Sequence, residues 1–409
     1  MDRIVIIGAG KGGTRVAQEL RTLGHQGSIT IIDEDPELPY DRPPLSKHFL
    51  MGKAPLSEFS LFPEDFYRTN LIDLRVGRSV AAIDRFRRVV IESDGCETGY
   101  DTLVLAMGAT ARKLPVPGSD LSGVFYLRSA DDAQSLNAAI KEGKDVLVIG
   151  GGFIGLEVAS SALSFGCRVT VVEQSAVAMG RAVPRLISQR VLSEHRERGV
   201  RVLLNTAVEC ITGDGRVDGA KLSDGQQVPC DVVVVGIGAL PRTDLAVSAG
   251  LEANDGIVVD EFLRTSDPCV YALGDVCRFP DPRGGVMTRL ESWRNADEQA
   301  RHVAENIVGP AKPFHGLPSF WSDQFDSTLQ IVGTPSCGVQ TVVRTLSPRS
   351  VIEFSVDSVG RLVGASAFGL VSEVGKEIRA AEHLIKREIV ALAEQLANPT
   401  ISLKSLLRN

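Results

Sequence analysis

Residues 4–13 read IVIIGAGKGG and residues 146–155 read VLVIGGGFIG. Each is a β-branched run that ends in Gly-x-Gly-x-x-Gly. An apolar pattern at helical spacing follows each: Val16, Ala17, Leu20 and Leu23 after the first, Leu156, Ala159 and Leu163 after the second. Gly24 and Gly166 stop these patterns. A second strand then ends in acid, 28–32 at Asp33-Glu34 and 168–172 at Glu173. Strand, glycine turn, helix, strand and acid in that order predict a dinucleotide-binding unit, twice over. The glycines Gly8 and Gly150 permit a tight turn. Gly10 and Gly152 let backbone approach a pyrophosphate. Gly13 and Gly155 let helix pack on strand. The phosphates would rest on the helix N-terminus, where free N–H groups and the dipole favour anions. Lys11 does not convert the first loop into a P-loop, because Gly-x-x-x-x-Gly-Lys-Ser/Thr is absent.

The acid at the second loop narrows the ligand. Glu173 suits a free ribose 2′-hydroxyl and repels a 2′-phosphate, and Gln174 and Ser175 bring no positive charge. Arg181 is the nearest cation. NADH is therefore expected over NADPH. Two more glycine clusters close strands, at 103–109 and 232–238, one on either side of the second unit. They read as chain crossings between domains. Residues 267–275, DPCVYALGD, deliver Asp275 from a short strand to a loop, where it either binds sugar hydroxyls or makes a turn.

Composition excludes several classes. The chain has 409 residues, room for two to four domains, and is 44% apolar and 23% charged. A net charge of −7 disfavours non-specific binding to nucleic acid or anionic membrane. No apolar run approaches the roughly 20 residues of a membrane span. Strand residues begin at Ile4, so no signal peptide is expected and the cytosol is the expected compartment. Seven scattered cysteines contain no C-x-x-C, and the six histidines show no ligand spacing. A disulfide framework and a metal site are not expected.

Six ordered motifs carry a resemblance over nearly the whole chain. They are PYDRPPLSK (39–47), GGGFIGLEVA (150–159), GIGALPRTDLA (236–246), TSDPCVYALGDV (265–276), LESWRNADEQA (290–300) and FWSDQ (320–324). On these the chain resembles the FAD-dependent NADH:ferredoxin reductases of Rieske oxygenase and bacterial P450 systems (the putidaredoxin reductase and biphenyl dioxygenase ferredoxin reductase family). The resemblance implies a glutathione-reductase-like α/β fold with two Rossmann-type domains and a C-terminal α+β domain. The FAD domain would be split into 1–112 and 240–316. The NAD domain would be 113–239, and the C-terminal domain 317–409.

The same resemblance orders the ligands, FAD at the first loop and NADH at the second. It implies FAD contacts at Gly8, Gly10, Gly12, Gly13, Arg42, Pro43, Lys47, Val80, Ala106, Gly108, Arg128, Gly274, Asp275 and Trp293. Glu34 matches the family's ribose acid. Asp33 stands where glycine is frequent, so either acid can meet the FAD ribose. NADH contacts are implied at Gly150, Gly152, Ile154, Gly155, Glu157, Glu173, Arg181, Gly236, Ile237 and Gly238. Lys47, Glu157 and Trp321 are the implied catalytic set, with Trp321 near the nicotinamide and flavin rings. The plain alternatives are a solvated loop cation for Lys47, a first-turn acid complementing the helix dipole for Glu157, and a core aromatic for Trp321. Met107 replaces a family threonine, Lys11 is an unusual guest in its loop, and Val177 replaces an arginine.

The implied activity passes a hydride from NADH to FAD and then single electrons to a [2Fe-2S] ferredoxin. Residues 317–409 hold nine Lys/Arg and nine Asp/Glu, so that segment is neutral. A basic docking patch would have to come from Arg289, Arg294 and Arg301, or from Lys376, Arg379, Lys386 and Arg387. The rival functions are a disulfide reductase or peroxidase, a rubredoxin or other carrier reductase, and a redox-signalling flavoprotein. The first needs a cysteine near PYDRPPLSK, and the nearest downstream is Cys96.

Overall fold

The computed structural model describes residues 2–180, 182–283 and 285–408. The chain divides into two compact units. One comprises Met1–Asp41, Pro55–Thr110 and Ala239–Gly316; the other comprises Arg42–Ala54, Ala111–Gly238 and Leu317–Asn409.

The first unit is built on a five-stranded parallel sheet. Its order is Val270–Ala272, Thr102–Leu105, Ile4–Ile7, Ile29–Ile32, Ile72–Arg75. Ile4–Ile7 lies at its centre, in register with Ile29–Ile32 on one side and Thr102–Leu105 on the other. All four of its side chains are buried. An unbroken β-branched run is what a parallel strand covered on both faces demands. The helix Lys11–Thr22 follows, with Val16, Ala17 and Leu20 fully buried. Leu23 departs from the expected pattern and is 44% exposed. It caps the helix instead of lying in it, and Gly24 at φ +85° turns the chain away.

The second unit holds a parallel sheet of matching plan. Its order is Arg201–Leu203, Arg168–Val172, Asp145–Ile149, Val232–Val235, Val124–Tyr126. Again the strand before the glycine loop is flanked by its crossover partner and by the strand that ends in the other glycine cluster. In both sheets the strand order reverses beside the glycine-loop strand, where open α/β sheets bind ligands at their carboxyl ends. This unit also contains an antiparallel sheet ordered Ser319–Gln324, Ser327–Gly333, Leu362–Leu370, Val351–Val356, Gln340–Thr345. The helix Val371–Lys386 lays Val374, Ile378, Ala381 and Leu384 against it, in one apolar core with Ile352, Phe354 and Ala367. Among the described residues no helix is long and apolar enough to cross a membrane.

Candidate functional site

The two glycine loops repeat one construction. Gly8 sits at φ +105° and Gly150 at φ +106°. A Cβ on Gly8 would lie 2.4 Å from the Ala106 carbonyl oxygen, and one on Gly150 would lie 2.4 Å from that of Gly236. The two downstream clusters, Ala106–Gly108 and Gly236–Gly238, thus close over the loops. Gly13 and Gly155 are demanded by packing: a Cβ there would come within 1.9 Å of the Gly8 oxygen and 2.1 Å of the Gly150 oxygen. Gly12 is a milder case, its Cβ meeting the flexible end of Leu273.

Gly10 and Gly152 differ from these. Their φ values, −66° and −81°, suit any residue. A Cβ on Gly10 would meet nothing of the protein within 4 Å, and one on Gly152 only the Gly236 oxygen at 3.7 Å. Neither strain nor internal packing requires glycine at these two positions. Close approach of a ligand to the backbone does, so the loops fit two dinucleotides.

The strand-end acids also correspond. Glu173 accepts from the Gly151 N–H at 2.7 Å and the Ser175 N–H at 2.8 Å. Asp33 accepts from the Ala9 N–H and, at 2.8 Å, from the Asp35 N–H. Asp33 therefore occupies in the first unit the place of Glu173 in the second. Glu34 faces elsewhere and forms a two-pronged pair with Arg242, one prong 2.8 Å long.

Other implied FAD positions fall in both units. In the first, Gly274 at φ +74° and Asp275 form a 3₁₀ turn after Val270–Ala272. Gln299, buried on the helix Trp293–Val308, accepts from the Gly274 N–H at 2.7 Å. Trp293 donates its indole N–H to Asp41 at 2.6 Å. Lys11 lies 4.0 Å over the Trp293 ring and 3.1 Å from Asp297, which accounts for its place in the loop. Val80 opens the strand Val80–Asp84 and is half-buried. Arg128, in the second unit, precedes the capping box Ser129–Asp132 and donates its backbone N–H to Asp132 at 2.9 Å.

The Arg42–Lys47 part of PYDRPPLSK lies in the second unit. Arg42 caps a 3₁₀ turn, Pro43–Ser46, whose first residue Pro43 has the fixed φ a turn start favours. Ser161 on the helix Phe153–Ser164 donates to the Ser46 carbonyl at 2.7 Å and ties the turn to the helix. Lys47 then places its Nζ 3.0 Å from Glu157 Oε1. Lys47 is 13% exposed in its side chain and Glu157 4%. Neither is a solvated surface charge. Glu157 also accepts from Ser322 at 2.6 Å and from Ser46. Burial pushes the Glu157 carboxyl above its ordinary range, against the opposing pull of Lys47, Ser322 and Ser46.

Trp321 lies on Ser319–Gln324 between residues that face the helix: Phe320 packs tilted against Phe153 with centroids 4.1 Å apart, and Ser322 reaches Glu157. Strand alternation turns Trp321 to the opposite face. Ile154 is exposed in the first turn of its helix, and Gly238 at φ +105° accepts from the Arg112 N–H at 2.9 Å. Arg181 lies outside the described residues. Sequence reading missed Ser46, Ser322, Gln324 and His195, although FWSDQ contains two of them.

Of the candidate docking cations, Arg289 pairs with Glu291 at 2.6 Å, Arg294 with Glu298 at 2.9 Å, Arg301 with Asp297 at 2.7 Å and Lys386 with Glu382 at 2.7 Å. All seven cysteines are free thiols. Among the described residues no cluster of three His, Cys, Asp or Glu side chains could hold a metal.

Comparison with known proteins agrees with this geometry. Residues 2–300 match the pyridine nucleotide-disulphide oxidoreductase family and residues 319–407 the reductase C-terminal family. A rubredoxin–NAD(+) reductase of Pseudomonas putida is 43% identical over 331 residues, covering 81% of this chain and 86% of its own. The ferredoxin–NAD(+) reductase component of an anthranilate 1,2-dioxygenase system from Burkholderia cepacia is 39% identical over 412 residues, covering 99% of both. The crystal structure of a covalent putidaredoxin reductase–putidaredoxin complex superposes with a TM-score of 0.95 at 33% identity, over 100% of this chain and 98% of that one. Two glycine loops, two strand-end acids and a reductase C-terminal segment in one chain therefore have a common explanation: the protein belongs to the pyridine nucleotide-disulphide oxidoreductase family.

Proposed function

We propose that this chain is the NADH-dependent, FAD-containing reductase component of an oxygenase system, with a [2Fe-2S] ferredoxin as its electron acceptor. When bound, FAD supplies the conversion of a two-electron hydride donor into single electrons for the carrier. The observation that most supports this reading is the Lys47–Glu157 pair. It joins the PYDRPPLSK turn to the helix of the second glycine loop at 3.0 Å, in the segment where a disulfide reductase would carry cysteine and this chain has none.

The chain's own residues bind and orient. Gly10 and Gly152 admit the two pyrophosphates. Glu173 receives the 2′-hydroxyl of NADH and repels a 2′-phosphate. Asp33, placed as Glu173 is, receives the FAD ribose, while Glu34 is spent on Arg242. Lys47 holds a cation, and Glu157 an acceptor, at the start of the nicotinamide helix. Val80, Ala106, Gly108, Asp275 and Trp293 of the first unit would line the flavin, and Trp321 of the second would lie beside the nicotinamide.

Rapid-mixing reduction by NADH, followed by cytochrome c reduction with and without a [2Fe-2S] ferredoxin, tests this. NADH should bleach the flavin, and the ferredoxin should raise cytochrome c turnover at least tenfold. Turnover indifferent to every ferredoxin tried sinks the reading. The 43% identity to a rubredoxin reductase favours one second reading, a rubredoxin acceptor. The same assay with rubredoxin in place of ferredoxin decides between them.

A further inference from the structure

Behind Glu157 runs a line of buried polar groups. Glu157 Oε1 is 2.6 Å from Ser322 Oγ, and Ser322 Oγ is 3.1 Å from Gln324 Nε2. Gln324 Oε1 is 2.8 Å from Nε2 of His195, which lies on the helix Arg185–Glu197. All four residues are buried. The chemistry of each group fixes the direction of each link. An amide oxygen only accepts, so His195 donates through its Nε2–H. An amide nitrogen only donates, so Ser322 accepts from Gln324. A hydroxyl has one proton, so Ser322 gives that proton to Glu157. Every donor in the line points the same way, toward Oε1, the oxygen that also meets Lys47. A proton on Oε1 would oblige the Ser322 hydroxyl to give up its donation there and turn its own proton elsewhere. The other charged groups are few. Asp323 lies 4.0 Å from Lys47, and Glu194 and Arg198 flank His195.

We propose that Ser322, Gln324 and His195 are positioning residues for the Glu157–Lys47 pair, a one-way donor chain that fixes Oε1 as the acceptor for Lys47. The C-terminal segment thereby acts on the nucleotide helix through two side chains of the FWSDQ strand. Burial favours a neutral Glu157, and the donor chain opposes it. Removing a donor should let the neutral form persist to higher pH, since a hydrogen bond to a charged group is worth about one pH unit or more.

The test uses the flavin-loaded protein and the protonated-carboxyl stretch in the infrared, assigned to Glu157 by its loss in Glu157→Gln. Ser322→Ala and Gln324→Leu should each raise the midpoint of that band by about one unit, a tenfold change in the protonation equilibrium. Ser322→Thr, which keeps the donor, should restore it. The pH profile of flavin reduction by NADH should move with the band. An unmoved band in both variants, or no rescue by threonine at equal melting temperature, overturns the proposal. This inference rests on the NADH reading only for the kinetic arm. A shifted band in a protein that NADH does not reduce would support the donor chain and defeat the reductase reading.

Discussion

At Gly10 and Gly13 the same residue type is needed for different reasons, and substitution separates them. Gly13→Ala drives a Cβ into the Gly8 oxygen. It should cost about 1–3 kcal/mol of stability in the apoprotein, as overpacking does, and lower flavin content with it. Gly10→Ala meets no protein atom. Its apoprotein should melt within about 1 °C of wild type, yet bind FAD at least tenfold more weakly in a fluorescence titration. A Gly10→Ala protein that binds FAD normally would remove the pyrophosphate from this loop. Asp33 and Glu34 divide in the same way. Asp33→Asn should weaken FAD binding several-fold, and Glu34→Gln should leave it within twofold, measured by equilibrium dialysis. From the sequence alone either acid could meet the ribose, with Glu34 the one that matches the family's acid. Only the fold shows that one turns to the glycine loop and the other to Arg242, 208 positions away.

At the level of the element, the helix Phe153–Ser164 carries two opposed demands. Its start is the proposed nucleotide site, and its second turn buries Glu157 beside Lys47. Removing one member of a buried pair costs roughly 3–5 kcal/mol, and Lys47→Ala belongs near the low end because Lys47 retains some solvent. The sign of the pH effect follows from burial of Glu157, which raises its folded-state pKa. Without Lys47 the stranded carboxylate is most costly at high pH, and protonation relieves it as pH falls. Urea unfolding should therefore show a larger loss at pH 8 than at pH 5.5, and an equal loss at both would refute the buried-charge account. At the neighbouring strand end, Glu173→Ala should raise the KM for NADH and narrow the preference over NADPH. An unchanged ratio would show that another group reads the 2′ position.

Across the whole molecule, what the sequence made legible was local. The glycine loops, their strands and their acids sit within about thirty residues of one another and have fixed spacing. The Lys47–Glu157 pair spans 110 positions and was reached only through resemblance. Ser322, Gln324 and His195 were not reached at all. Serine, glutamine and histidine face water on most strands and helices, and only tertiary burial makes them a line. Charge patterning left a basic docking patch and mixed helix faces both open. Of the seven cations named for such a patch, Arg289, Arg294, Arg301 and Lys386 each have an acid within 3 Å. Steering by these cations should be weak. Raising salt from about 0.05 to about 0.3 M should change kcat/KM for the carrier by less than about threefold. A steep fall would locate a basic surface elsewhere.

The interrupted first sheet has a consequence for biosynthesis. The second parallel sheet is complete once Val232–Val235 has left the ribosome, because its strands lie between 124 and 235. The first sheet has four of its strands by Leu105, but its edge strand, Val270–Ala272, and the helix that carries Gln299 come some 160 to 200 residues later. During translation the second parallel sheet can therefore be complete before the first, with an open edge on Thr102–Leu105 in the meantime. Pausing translation between 240 and 269 would prolong that exposure, and pulse proteolysis of stalled chains should cut within the first parallel sheet while sparing the second.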